Sequence, residues 1–285
     1  MKLFDIIPYT QQYIGVREYV AVIDGTNVFC RACLAQYKDS SDDLSITVSN
    51  FCKMVNKILA NRPKYVVFVF DSGKQNFRHK LFPAYKSNRK TVIKDKDIKL
   101  KLIKSILINY GFSVLTSGEF EADDIIGSLS RLLRKEAPVH IYSEDKDFLQ
   151  CVRSNVLLHK GGLIYDKKLC TLKFGVTPRQ FIDYLSLVGD TADCIPGAAK
   201  WGKKTAAKAL TEFGTIERIQ REAKLTKSQT SIYTLNVKLM RKLTRIKTTI
   251  GNLGTLADYS VKTKNCGRLQ DLAKYYKIHI GDFYH

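Results

Sequence analysis

YVAVIDGTN, at Tyr19–Asn27, is the stretch on which the fold turns. Tyr19–Asp24 is apolar almost throughout and then stops at an acid, the pattern of a short strand covered on both faces. From Asn27 to about Gln36 the spacing predicts a helix, and the alternation then recurs. Val48–Asn61 places Phe51, Met54, Val55, Ile58 and Leu59 on one helical face, and Arg62-Pro63 ends it. YVVFVFD at Tyr65–Asp71 predicts a second buried strand, FSVLTS from Phe112 a third and VHIYSED at Val139–Asp145 a fourth. Between the last two, Ala122 to about Lys135 predicts a helix carrying Ile125, Ile126, Leu129, Leu132 and Leu133 on one side. Strands alternating with helices predict an α/β fold, a central mainly parallel sheet flanked by helices. Beyond Thr177 the pattern is helical: Pro178–Val188, Lys203–Phe213 stopped by Gly214, Ser231–Thr249 and Gly267–Tyr276. The expected division is an α/β core over residues 1–177 and a helical region over 178–285.

The charge is unbalanced. The 285 residues carry 47 Lys and Arg against 27 Asp and Glu, a net charge of +20. So large an excess repels itself in a compact chain and points to a polyanionic partner, most economically nucleic acid. It gathers in two stretches: Lys74–Lys104 holds eleven cations against Asp95 and Asp97, and Lys200–Lys247 thirteen against Glu212, Glu217 and Glu222. No apolar run approaches the roughly 18 residues of a membrane span. The opening MKLFDIIPYTQQY is broken by Asp5 and Pro8, so neither a secretory signal nor a membrane partner is expected. Seven scattered cysteines predict a reducing, intracellular and cytoplasmic setting. Cys30 and Cys33 form a CxxC without a second pair or a nearby histidine, and packing on a helix is its expected role.

Acids follow every expected strand. Asp24 ends the first and Asp71 the second. Glu121, Asp123 and Asp124 follow the third in EFEADD, Asp145 and Asp147 follow the fourth in SEDKDF, and GDTADCIPG adds Asp190 and Asp193. One such Asp is ordinarily a cap or turn residue, but in a parallel sheet all of these come to the carboxyl edge, where ligands bind. Two like charges at 4 Å repel by about 4 kcal/mol at an effective dielectric near 20. Acids gathered there either take up protons or hold cations, and all-carboxylate ligation selects Mg²⁺ or Mn²⁺. Two such ions about 4 Å apart suit phosphodiester hydrolysis.

VIDGTN, FDSG with FRHKLFPAYKSNRK, EFEADD, SEDKDFLQ and GDTADCIPG with WGKKTAAKAL together resemble, in order, the 5′-nuclease (flap endonuclease) superfamily. That family includes the 5′-nuclease domain of bacterial DNA polymerase I and stand-alone bacteriophage enzymes, and the resemblance spans roughly Val20–Gly214. It implies a structure-specific 5′-3′ exonuclease and flap endonuclease of replication or repair. The implied partner is DNA with 5′ ends, flaps or nicks, or RNA–DNA hybrids, and the implied form a monomer, in the host cytoplasm if viral. By motif, Asp24, Asp71, Glu121 and Asp123 fall to a first Mg²⁺. Asp145, Asp147, Asp190 and Asp193 fall between the sites or to a second, with Asp124 a direct or water-mediated ligand. Arg78, Tyr85, Lys86 and Arg89 match the DNA-contacting pattern before a basic helical arch, about residues 74–104, and Lys86 and Arg89, three apart, would share a helix face and grip the scissile phosphate. Catalytic roles fall to Lys86, Arg89 and Asp145. Residues 178–214 resemble a helix–hairpin–helix, whose backbone N–H groups face duplex phosphates with a bound K⁺ in some members. Its implied contacts are Gly197, Lys200, Gly202, Lys203, Lys204 and Thr205. Lys200 and Trp201 stand where a glycine and a small aliphatic residue are commoner, so Lys200 would partly replace the K⁺, and Trp201 would either pack the hairpin or stack on DNA.

Two other readings remain beside this one. A non-catalytic DNA-binding scaffold would be expected to have lost acids, and none is missing. A compact metal-dependent ribonuclease would lack the basic arch and the helix–hairpin–helix. No Ser, His or Cys constellation supports nucleophilic catalysis.

Overall fold

In the computed structural model, residues 18–35, 43–88, 93–222, 225–240, 253 and 255–283 are described. The opening segment, Arg89 and residues 241–249 of the long expected helix lie outside them. Six strands form one sheet: β1 Val20–Asp24, β2 Tyr65–Asp71, β3 Ser113–Ser117, β4 Val139–Tyr142, β5 Val156–Lys160 and β6 Leu163–Tyr165. Their order is β3-β2-β1-β4-β5-β6, parallel except for the antiparallel β5–β6 hairpin. β1 is buried at every position, as a strand between two helical layers must be.

Side-chain alternation divides the core into two layers. Ala21, Ile23, Phe68 and Phe70 face α1 (Gly25–Leu34), α2 (Leu44–Leu59) and, after the short α3 (Phe77–Leu81), α4 (Lys96–Asn109). Val20, Val22, Val67 and Val69 face α5 (Ala122–Leu133) and, past α6 (Lys167–Phe174), the helical region. There α7 (Phe181–Val188), α8 (Lys203–Phe213), α9 (Ile216–Glu222) and α10 (Lys227–Met240) pack together, and α11 (Cys266–Tyr276) returns to α4. Cys33 of the CxxC is buried and Cys30 half-buried on α1.

Three features differ from the sequence expectation. The basic stretch contains α4, whose Leu102, Ile103, Ile106 and Leu107 are buried although lysines interrupt the pattern. The β5–β6 hairpin and α6 fall where no element was expected; the hairpin turns on Gly161 and Gly162, both at positive φ. Lys86 lies in a turn with φ 56, not on a helix, and Arg89 lies outside the described residues.

A histidine pair lies in the sheet. His140 Nδ1 and His159 Nε2 are 3.0 Å apart, with Tyr19 stacked on His140 and Tyr142 on His159. Burial lowers His140 to about 4; burial and the neighbouring His140 lower His159 to about 3. Between the unfolded value and these folded values the unfolded chain binds more protons, so each histidine makes stability rise with pH and fall on acidification. Each contributes a loss of about 1.4 kcal/mol per pH unit below about 6.5. We expect the stability lost between pH 7 and pH 5, measured by urea unfolding, to be clearly smaller in His159→Phe than in the unaltered protein. Equal losses would mean that the pair is not held neutral.

Candidate metal centre and nucleic-acid interface

The carboxyl edge of β1–β4 gathers most of the acids. Asp24 caps α1, its Oδ1 accepting from Asn27 N at 2.9 Å and its Oδ2 from Ser143 Oγ at 2.8 Å. Asp71 accepts from Ala122 N at 2.7 Å, so the end of β2 is fastened to the start of α5, and Thr26 Oγ accepts from Asp71 N at 2.8 Å. Asp123 stands in the first turn of that helix, where the dipole favours a negative charge. After β4, Ser143 Oγ accepts from Asp145 N and Asp145 Oδ1 from Asp147 N, which folds SEDKD into a compact turn against Asp24. The family motifs thus meet through short hydrogen bonds between strand ends.

These acids are not alike electrostatically. Burial and the charge of Asp123 push Asp24 up to about 8, and the same two causes raise Asp71. Glu121 goes the other way: burial would raise it, but Lys86 and then Arg78 outweigh burial and leave it lowered. Lys86 Nζ reaches Glu121 Oε1 at 2.8 Å, and Arg78 reaches Oε2 at 3.2 Å. Burial also works against the Asp190 carboxylate, but Lys146 Nζ at 2.5 Å overcomes it and lowers the acid.

Arg78, Tyr85 and Asp124 differ from their expected places. The Arg78 guanidinium is wholly buried and grips both oxygens of Asp124, at 2.6 and 2.7 Å, while its Nε donates to Leu239 O at 2.7 Å. Tyr85 is buried too, its hydroxyl donating to Glu121 at 3.1 Å. Neither side chain offers itself to DNA, and a fork matched to a carboxylate takes up the oxygens that Asp124 would have offered a cation. All three hold the site together from beneath.

The basic loop is tied to the helical region. Lys86 N donates to Asp193 O at 3.0 Å and Asn88 to Thr191 O at 3.2 Å, so the loop rests on the turn that carries Asp190 and Asp193. Between α7 and α8 the chain forms a hairpin closed by Asp190 and Ile195. A Cβ on Gly197 would stand 2.3 Å from the Val188 carbonyl, so this approach admits glycine alone. Lys200 is exposed at φ 69, a conformation that explains why glycine is commoner there. Gly202 caps α8; Lys203, Lys204 and Thr205 are exposed in its first turn, and Trp201 packs against the core. Thr26, Asn27, Ser143 and Lys146 were not singled out by sequence. All four sit inside the quoted motifs, where adjacency to an acid was the available signal.

Among the described residues no three acids close on one point as they stand; Glu121, Asp124 and Asp190 are each paired with a protein cation. Asp24 and Asp71 are nonetheless raised, by burial and then by the charge of Asp123, and an oxygen-only donor set in such surroundings suits a hard divalent cation. Strand-end acids, a lysine-bearing loop tied to them and a glycine-dependent hairpin between two helices are the features of a 5′-nuclease.

Comparison with known proteins agrees. The profile described as the 5′-3′ exonuclease N-terminal resolvase-like domain matches residues 19–175, and that of the C-terminal SAM fold matches 176–266. A 5′-3′ exonuclease of Buchnera aphidicola subsp. Schizaphis graminum is 30% identical over 291 residues, covering 95% of this chain and 99% of that one. DNA polymerase I of Bacillus caldotenax is 34% identical over 214 residues, 72% of this chain but 24% of the polymerase. The bacteriophage T5 flap endonuclease, solved with DNA and metal ions, has the same fold at TM-score 0.67 and 19% identity, over 91% of this chain and 99% of that one. The chain belongs to the 5′-3′ exonuclease family, and it is a catalytic 5′-nuclease. No described helix is long and apolar enough to cross a membrane.

Arg78→Leu strands Asp124 in the core, and an uncompensated buried charge costs about 3–5 kcal/mol. We expect a loss of that order in urea unfolding, with Arg78→Leu/Asp124→Leu recovering part of it. An Arg78→Leu protein as stable as the unaltered one would show that the pair does not hold the site.

Proposed function

We propose that the chain cuts 5′ flaps and nicked duplexes at the carboxyl edge of its sheet, using two divalent cations held by its acids. The observation that carries this is the meeting of Asp24, Asp71, Asp123 and the Asp145–Asp147 turn at one edge, below Lys86 and beside the Asp190–Asp193 turn. In this reading Asp24, Asp71, Glu121 and Asp123 hold one Mg²⁺. Asp145, Asp147, Asp190 and Asp193 hold the second or lie between the two. Bound there, the ions supply an activated water and screen the charge that builds on phosphate in the transition state.

The protein's own groups do the rest. Lys86 is poised by Glu121 at the mouth of the site, where its ammonium orients the scissile phosphate. The sheet fixes the acids before substrate arrives, so little reorganisation accompanies the reaction. Duplex binding falls to the hairpin around Gly197 and Gly202, with Lys200, Lys203, Lys204 and Thr205 on the phosphates. The single strand falls to the basic loop. The division is a nuclease core over 1–177 and a helical region over 178–285, of which α7–α10 would bind duplex while α11 packs back on α4 of the core.

A labelled 5′-flap duplex, incubated with and without Mg²⁺ and sized on a gel, tests this. Cutting should require Mg²⁺ or Mn²⁺, while Ca²⁺ supports binding alone, because its looser coordination does not impose the octahedral geometry of the smaller ion. Asp145→Asn should abolish cutting and leave DNA affinity equal or higher. Undiminished cleavage in excess chelator would sink the metal reading, and a fast Asp145→Asn enzyme the ligand assignment.

Lys86 and Lys203 should separate chemistry from binding. Lys86→Ala should slow single-turnover cleavage about a hundredfold, the usual cost of one transition-state contact, with little change in affinity. Lys203→Ala should weaken duplex binding modestly and leave the rate at saturating DNA unchanged. The opposite pattern would invert the two placements.

A further inference from the structure

The cations around the acids divide by partner. Arg78 is held by Asp124 and Glu121, Lys86 by Glu121 and Lys146 by Asp190. Lys104, on α4, has no carboxylate within ion-pairing distance among the described residues. Its Nζ donates to the neutral hydroxyl of Thr116 at 3.2 Å and lies 5.1 Å from the centroid of the Phe70 ring.

Phe70 and Thr116 are paired across β2 and β3, one rung before Asp71 and Ser117. The ammonium therefore stands at the same sheet edge as the acids, on the β3 side, close enough to feel the charge of Asp71. Lys74 approaches Gly118 just beyond, its Nζ 3.9 Å from where a Cβ would stand. Lys104 is half-buried, and that burial lowers its pKa. An ammonium has three donors, and Thr116 takes one. A cation pulled partly from water next to a site for a polyanion, with donors to spare and no carboxylate to satisfy it, is arranged for an anion that arrives from outside.

We propose that Lys104 binds a backbone phosphate of the strand being cut, on the β3 side of the acids. This rests on the reading of that edge as the cleavage site. Phe70 and Thr116 hold the ammonium in place beforehand, so the strand meets a fixed donor there. The acids alone would repel the phosphates next to the scissile one, and Lys104 offsets that repulsion on the β3 side.

The test pairs a protein change with a substrate change. Lys104→Met keeps the apolar stem against Phe70, and Lys104→Arg restores a cation. Single-turnover rates in Mg²⁺ are measured on a 5′-flap duplex and on a set in which one phosphate at a time is replaced by neutral methylphosphonate. We expect Lys104→Met to lose about tenfold or more in rate or affinity, Lys104→Arg to regain most of it, and the slope of log affinity against log salt to fall by about 0.7 in Lys104→Met. At one phosphate near the cut, the neutral replacement should slow the unaltered enzyme and cost Lys104→Met nothing further. Losses that add at every phosphate, or a Lys104→Met enzyme equal to the unaltered one, would overturn the inference. Failure of the unaltered protein to cut in Mg²⁺ would instead overturn the reading of the edge itself, and this proposal with it.

Discussion

Everything at the carboxyl edge depends on a positive charge that never reaches solvent. The Arg78 guanidinium joins three parts of the chain: the segment after β2, the first turn of α5 through Asp124, and the end of α10 through Leu239 O. Burial opposes the charged state of both partners, and the two-pronged bond with the carbonyl contact offsets that cost. Because Arg78 also approaches Glu121, fixing the pair fixes the acid to which Lys86 and Tyr85 attach. The loop that carries Lys86 is thereby registered to the helix that presents Asp123. A fold held only by apolar layers would leave that loop free to slide.

A second constraint is the management of negative charge. The chain is basic overall, yet it crowds acids at one edge and neutralises them unevenly. Glu121 and Asp190 are lowered by lysines, whereas Asp24 and Asp71 stay raised by burial and by Asp123. The unevenness has a direction. Acids in the β1–β2 part of the edge keep a potential that attracts cations, and those at its rim are tied to ammonium groups.

Much of the fold was legible because buried parallel strands are short continuous apolar runs. Tyr65–Asp71 matches β2 to the residue, and α8 matches the expected Lys203–Phe213. The α4 helix was harder: Lys99, Lys101 and Lys104 interrupt Leu102, Ile103 and Ile106, so the run read as charge rather than as an amphipathic face. The β5–β6 hairpin went unread because β6 has three residues and His159 and Lys160 dilute the apolar signal of β5. At the site, residue types and order could be read, since each acid directly follows a strand or opens a helix. Partnerships could not. Arg78 and Asp124 lie 46 residues apart, and nothing local distinguishes a lysine or arginine bound for the core from one bound for DNA.

The sorting of these cations has a physical basis. In FRHKLFPAYK the cations look equivalent, but Asn76 caps the short α3 by accepting from Arg78 N at 2.9 Å, and that turn sends Arg78 inward, while Lys80 is exposed. Lys86 emerges again only because the backbone takes a left-handed turn and its N–H is held by Asp193 O. One short helix and one turn thus sort three neighbouring positive charges into a buried clamp, a solvated surface and a group over the acids. Removing the cap would lose more than a hydrogen bond, because the direction of each cation follows from it.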